Sequence, residues 1–476
     1  MVAPGLDRRM TMTLTMKSLE TTGHATDGQR LRLTPFEEYM LHDDRVGWPM
    51  TFWIRLQFSE PLQTDRLSRA LAAVSVQHPL LSARIVLDAR GRPYWVPSQS
   101  TADVRTLDGA ESATELPRTA PFDLTVEPPV RLWKTPHEKS PVLWLEFHHA
   151  ASDGMGAFRA VDDLLKHYRD DPTPTAAPAV AANWGQVARR HRSDNLTGIR
   201  DRLGQWVWML WRIARYGIES PASLEELPAP AGHRRGDAPG NMAPAEFRLC
   251  SLGSVDAFRQ AAQRGNCTIN DIVLRDLFDA LRDVFARRSP SKRHRLRLFV
   301  PMDLRGNPWN ACAVCNIVGM LHIDRVVGPD SDETLSLPAL ARDMKVYRRY
   351  QMGRAFVVSL EAVTGLFGSP RLLISPSRCG ATSVLTNLGM PLAGSELNAA
   401  DGRLHVGSNI LEAVDLMPPI RPMTPACFGL LTYAGELRLS LRFQRETFPR
   451  EDAEFLLTRF IERLNQSVQP ARAGDA

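Results

Sequence analysis

Apolar residues alternate at Phe52, Ile54, Leu56 and Phe58, a period of two that predicts a half-buried strand. Leu67, Leu71 and Val74 follow at helical spacing, and His78-Pro79 ends that helix. Ala83 to Leu87 reads as a strand, Gly91-Arg92-Pro93 as a turn, and Tyr94-Trp95-Val96 as the return strand. Two more strands are predicted at Val130 to Trp133 and at Val142 to Phe147, the second followed by a helix whose apolar face is Phe158, Val161, Leu164, Leu165 and Tyr168. The later half repeats this character: a helix carrying Ile272, Phe278, Leu281 and Phe285, a strand at Leu296, Leu298 and Val300, an alternating strand at Leu437, Leu439, Leu441 and Phe443 after the Gly435 turn, and a closing helix with Phe455, Leu456, Phe460, Ile461 and Leu464. The expected class is α/β (α+β), with two lobes, each a mixed sheet covered by helices.

Pro- and Ala-rich stretches from Asp171 and from Pro228 to Pro244 mark where the lobes part. The resulting division is a flexible tail over 1–28, a first lobe over 29–180, a linker with an amphipathic helix over 181–245, and a second lobe over 246–470. That helix, at 203–218, carries Trp206, Trp208 and Trp211 with flanking arginines. Such a helix packs against the protein's own core or lies in a membrane interface, so peripheral membrane contact through 203–218 is one expectation.

A chain of 476 residues is long enough for two hydrophobic cores. Its 58 Lys+Arg against 53 Asp+Glu leave a formal charge of +5, too small and too dispersed to argue for nucleic acid. The densest basic run, Arg287, Arg288, Lys292, Arg293, His294, Arg295 and Arg297, reads either as a solvated loop or as a landing patch for a phosphorylated thioester carrier. Six cysteines without framework spacing suit reduced thiols in a cytoplasmic protein, and Cys312/Cys315 alone do not make a metal site. Arg8 and Arg9 precede a Thr/Met/Lys mixture rather than an export signal, and no apolar run reaches the ~20 residues of a spanning helix.

The chemistry concentrates in His148-His149-Ala150-Ala151-Ser152-Asp153-Gly154, placed where a strand ends and a helix begins. A satisfied core histidine is the bland reading. A metal site fits poorly, because neighbouring residues on an extended segment point to opposite faces. Ser/His/Asp hydrolysis would need a nucleophile elbow, and no G-x-S-x-G pattern is present. A neutral imidazole acting directly as general base on a hydroxyl or amine fits the residue type and cytoplasmic pH. Asp153 would then cap the helix or pair with an arginine, and Gly154 would permit a tight turn.

The pattern His148-His149-x-x-x-Asp153-Gly154 resembles the signature of the superfamily containing peptide-synthetase condensation domains, wax ester synthase/diacylglycerol acyltransferases, polyketide-associated acyltransferases, and chloramphenicol and plant acyltransferases. Surrounding segments resemble its landmarks in order: Leu33-Thr34-Pro35-Phe36-Glu37, His78-Pro79-Leu80-Leu81, Pro121-Phe122-Asp123-Leu124, Thr268-Ile269-Asn270-Asp271, Val300 to Arg305, and Asn316 to Gly319. The resemblance implies two chloramphenicol acetyltransferase-like lobes meeting along a tunnel, with His149 as general base and His148 supporting it. It also implies a structural salt bridge for Asp153, with Arg305 and Arg84 as candidate partners; Ser82 stands where condensation domains often carry arginine after the paired leucines. Thr386-Asn387-Leu388-Gly389 resembles a Ser-Asn-x-x-Gly element but lacks its proline, and makes Asn387 and Ser383 candidate oxyanion donors.

The expected activity is transfer of an acyl group from acyl-CoA or a phosphopantetheinyl carrier thioester to an alcohol or amine, with no bound cofactor, no metal and no covalent acyl-enzyme. Two alternatives stand beside it: a stand-alone condensation enzyme joining substrates held on acyl or peptidyl carrier proteins, and a noncatalytic member that binds an acyl ligand or a partner.

Overall fold

A computed structural model of the chain describes residues 30–98, 100, 102–107, 115–135, 141–171, 184–185, 187–188, 190, 219–228, 244–305, 314–329 and 336–469. The tail over 1–28, the 203–218 tryptophan helix and Cys312 lie outside them. The first half opens with β1 (Leu31–Arg32) and α1 (Pro35–Asp43). A reciprocal cap starts α1: the Glu37 N–H donates to the Thr34 hydroxyl at 3.0 Å, and the Thr34 N–H to the Glu37 carboxylate at 2.9 Å. There follow β2 (Thr51–Phe58), α2 (Thr64–Gln77), β3 (Arg84–Leu87), β4 (Pro93–Val96), β5 (Val104–Thr106), β6 (Val130–Lys134), β7 (Val142–His148) and α3 (Gly154–Asp170).

The second half comprises β8 (Glu246–Ser254), α4 (Val255–Arg264), α5 (Ile269–Arg288), β9 (His294–Asp303), β10 (Val318–Val327), α6 (Leu337–Arg349), α7 (Arg354–Phe367), β11 (Ser383–Asn387), β12 (Leu404–Val406), β13 (Asn409–Met417), β14 (Ala426–Tyr433), β15 (Glu436–Phe443) and α8 (Arg450–Val468). Two six-stranded sheets organise the described residues, in the orders β12-β13-β2-β7-β6-β5 and β10-β9-β11-β14-β15-β8; β1, β4 and β3 form a small third sheet.

Segment 246–470 therefore does not stay in the second lobe. Its strand β13 pairs antiparallel with β2, Leu416 facing Ile54 and Met417 facing Trp53, and extends the first sheet. This crossover also corrects the half-buried reading of β2. Phe52, Ile54, Leu56 and Phe58 pack into the core with α2 and α3, as their alternation predicts. The opposite face is buried too, where Trp53 joins Trp133, Trp144 and Met417 against Phe247 of the second lobe. In the second lobe, α5 and α8 bury Phe278, Phe285, Leu456 and Phe460 on the sheet residues Leu298, Phe428 and Leu441.

The basic run at 287–297 is largely neutralised. Arg287 pairs with Glu451, Arg288 with Asp452 at 2.7 Å, Arg295 with Glu219 at 3.3 Å, and Arg297 with Asp324 at 2.6 Å. These ion pairs bind α5 and β9 to their neighbours. No helix among the described residues is long and apolar enough to cross a membrane.

Candidate active site

Strand alternation decides where the two histidines go. On β2 and β7, antiparallel partners, Phe52 lies opposite Phe147 and Thr51 opposite His148. His148 ends the strand pointing into protein, 1% exposed, with its ring edge-on to Phe122. Its Nδ1 accepts from the Ala150 N–H at 3.1 Å, which places its proton on Nε2, 3.4 Å from the Asp44 carboxylate. Asp44 in turn accepts from the Met50 N–H at 2.7 Å, and the Met50 carbonyl accepts from the His149 N–H at 2.9 Å. His148 thus ties the loop before β2 to the turn that carries His149.

His149 turns the other way. Its ring lies edge-on to Phe52 at 5.3 Å and to Phe36 at 5.9 Å. It lines a cleft of about 250 Å³ between the lobes, together with Asp153, Gly154 and Met155 from the first lobe and Pro301, Thr386, Asn387 and Leu388 from the second. Nδ1 is buried without a hydrogen-bond partner, so Nε2 is the ring nitrogen left to the cleft. Burial among aromatic rings pulls its pKa below the ordinary imidazole value; its own backbone carbonyl and Asp153 oppose this only in part, and His148 adds to it. The shift favours the neutral imidazole, the form a general base requires.

Asp153 does not reach His149. As N-cap of α3 it accepts from the Gly156 N–H at 2.8 Å, and it also accepts from the Ile317 N–H of the second lobe at 2.7 Å. Arg305 grips both of its oxygens at 2.9 Å and adds bonds to Asp303 at 3.1 Å and to the Cys315 carbonyl at 2.8 Å. Burial alone would lower the Arg305 pKa, but its carboxylate partners outweigh this and raise it. The fully used carboxylate rules out a Ser/His/Asp-type relay through Asp153. It joins the helix start to the second lobe.

Gly154 has no left-handed backbone, correcting the tight-turn expectation. A Cβ there would lie 3.1 Å from Leu388 Cδ1, so the glycine admits a second-lobe side chain close to His149. Arg84 is exposed on β3, in the small hairpin sheet, and does not partner Asp153. Ser383 is also corrected: it is buried at the start of β11, where its hydroxyl donates to the Ala426 carbonyl at 2.7 Å, away from the cleft. Asn387, four residues on, does line the cleft; its side-chain carbonyl accepts from the Gly389 N–H at 2.9 Å and its amide faces Asn270 Oδ1 at 3.3 Å.

Asn316 had no assigned role beyond a landmark. Its side-chain amide donates to the His149 and Ala150 carbonyls, each at 2.9 Å, clamping the histidine turn from the second lobe. An unremarkable Asn-Ile-Val-Gly segment carries no signal of that use. Among the described residues no group of His, Cys, Asp and Glu is placed to hold a metal. Cys315 is buried beside this ion pair, and burial pushes its thiol up to about 12.

No family model matches the chain. An uncharacterised protein of Mycobacterium tuberculosis, found in two strains, is 32% identical over 166 residues; the match covers 32% of this chain and 36% of the relative, about a third of its length. Solved structures match almost the whole chain. The first condensation domain of the calcium-dependent antibiotic synthetase, in complex with a substrate analogue, superposes with a TM-score of 0.62 at 18% identity over 93% of this chain and 97% of that domain. Polyketide synthase associated protein 5 from M. tuberculosis gives 0.56 at 17% identity over 92% and 98%. The starter condensation domain of rhizomide synthetase, in complex with C8-CoA and Leu-SNAC, gives 0.61 at 13% identity over 94% and 97%. In its fold, two sheet-and-helix lobes joined across one sheet with a histidine at the cleft between them, this chain is similar to these condensation domains and to the polyketide synthase associated protein.

Proposed function

We propose that the chain is an acyltransferase in which His149 Nε2 removes the proton from a hydroxyl or amine as it attacks an acyl thioester. One observation carries the reading: an imidazole with no carboxylate partner stands at a cleft walled by both lobes, where burial lowers its pKa. The attack forms a C–O or C–N bond, the thioester carbonyl becomes an oxyanion, and the imidazolium returns its proton to the departing thiolate. A free amide hydrogen of Asn387 supports a donor role toward that oxyanion, worth about 2.7–4 kcal/mol of barrier for one such donor. Asp153, Arg305 and Asn316 position the histidine turn.

The ligands bound in the fold neighbours, C8-CoA and a substrate analogue, support a thioester donor, on CoA or on a carrier arm. Thiol release from a panel of acyl-CoA and carrier-bound thioesters, mixed with alcohols and amines, tests the reading. Acceptor-dependent release should fall about 10²–10⁴-fold in His149→Ala, the range for a lost general base. Release indifferent to that substitution would remove His149 from the chemistry, and inertness toward every donor would favour a noncatalytic binder.

A further inference from the structure

The same alternation that sends His149 to the cleft sends Glu146, His148, Thr51 and Trp53 to the other face of the first sheet. There lies a second cavity, of about 230 Å³, that shares no lining residue with the His149 cleft. Its walls are mostly apolar, including Trp53, Pro117, Pro121 and Phe122, and its polar end holds Thr51, Glu146 and Arg442. Arg442 is 3% exposed. It donates to the Thr51 carbonyl at 2.6 Å and the Pro418 carbonyl at 3.3 Å, its Nε has no hydrogen-bond partner, and among the described residues no carboxylate lies at ion-pair distance from it. Burial lowers its pKa to about 10, so it stays charged at neutral pH.

Glu146 does not supply the missing counter-charge in full. Its contacts are long, 3.3 Å from the Thr119 hydroxyl and 3.4 Å from Arg131, whose shorter bonds at 2.7 and 3.0 Å go to Glu127. Burial raises Glu146 to about 7 against the pull of Arg131 and Arg442. A buried cation without a matched anion is expensive, and a ligand that brings one removes that expense.

We infer that this cavity is a second ligand site, separate from the His149 cleft, that takes an amphipathic carboxylate: its headgroup against the Arg442 guanidinium, its apolar chain along Trp53, Pro117 and Phe122. The groups facing Glu146 are Arg131 from β6, Arg442 from β15, Thr51 from β2 and Thr119 from the loop before β6. An ionised Glu146 competes with the ligand for the guanidinium, so affinity rises as pH falls through about 7.

Calorimetric titration of the full chain with octanoate, beside octanol and octylamine, tests this. Octanoate should bind at least tenfold tighter than either neutral or cationic analogue. Ala120→Trp, which fills the cavity from its wall, should lose at least tenfold in affinity, while Thr386→Trp in the His149 cleft should retain it. Glu146→Gln should bind octanoate at pH 8 as tightly as the unaltered chain does at pH 6, a readout that stands even if Ala120→Trp does not fold. Absence of octanoate binding, equal binding of octanol, loss through Thr386→Trp with Ala120→Trp intact, or an unaltered pH dependence in Glu146→Gln would each overturn the assignment.

Discussion

At the scale of single residues, Phe36 and Phe52 stand edge-on to His149 and strip water from it, and this burial depresses its basicity more than any charge nearby alters it. A lowered pKa keeps the base unprotonated further into acid. The acid limb of a kcat/KM profile should therefore have its midpoint below 6.5, the ordinary imidazole value, and a midpoint at or above 6.5 would contradict the burial argument. Glu146 carries the opposite shift, raised to about 7 from 4.5. Its folded form holds a proton that the unfolded chain has released, so between about pH 4.5 and 7 stability falls as pH rises. Glu146→Gln should raise the melting temperature at pH 8 and change it little at pH 4. The histidine pair and the aspartate were legible from the chain because their spacing is local. The difference between Arg305 and Arg84 was not, since it depends on whether β3 or the segment just after β9 lies beside the start of α3 in space.

Among the elements, α3 matters most, because one side chain both starts it and fastens it to the second lobe. Replacing Asp153 by Asn leaves an oxygen for the Gly156 N–H but removes the charge that Arg305 faces from both guanidinium nitrogens. Breaking a buried pair costs about 3–5 kcal/mol, with Asp303 still at 3.1 Å from Arg305 holding the loss toward the lower end. Chemical denaturation of Asp153→Asn should show a lowered midpoint with an unchanged slope, and a loss under 1 kcal/mol would mean the pair is not structural. Most elements could be read in advance, since the periods of β2, α3, α5, β15 and α8 survive in the structure. What the resemblance misplaced was Ser383. A serine in an apolar run reads the same whether it faces a cleft or donates to the next strand's carbonyl, as it does to Ala426.

For the molecule as a whole, the lobes are joined by more than apposition. Strand β13 leaves the second half of the chain and lies along β2 with β12 beyond it, so the first sheet ends with two strands from residues beyond 400. Asp415 on that strand bridges Arg55 of the first lobe at 3.1 Å and Arg438 of the second at 2.7 Å. Gly429 on β14 permits the closest approach, because a Cβ there would fall inside 3.0 Å of the Leu416 carbonyl and of the Ser440 hydroxyl. The crossover was invisible to local pattern, which predicts strands and not their partners; a division at 180 and 246 followed from composition alone. It has a consequence for folding. A fragment spanning 29–180 lacks β13, so β2 would present an unpaired apolar edge and the Trp53 face would lose its cover from Phe247 and Met417. That fragment should show no cooperative thermal transition alone, and mixing it with 246–470 during refolding should restore one. Independent cooperative melting of the fragment would mean that β13 is an ornament of the first lobe rather than part of its core.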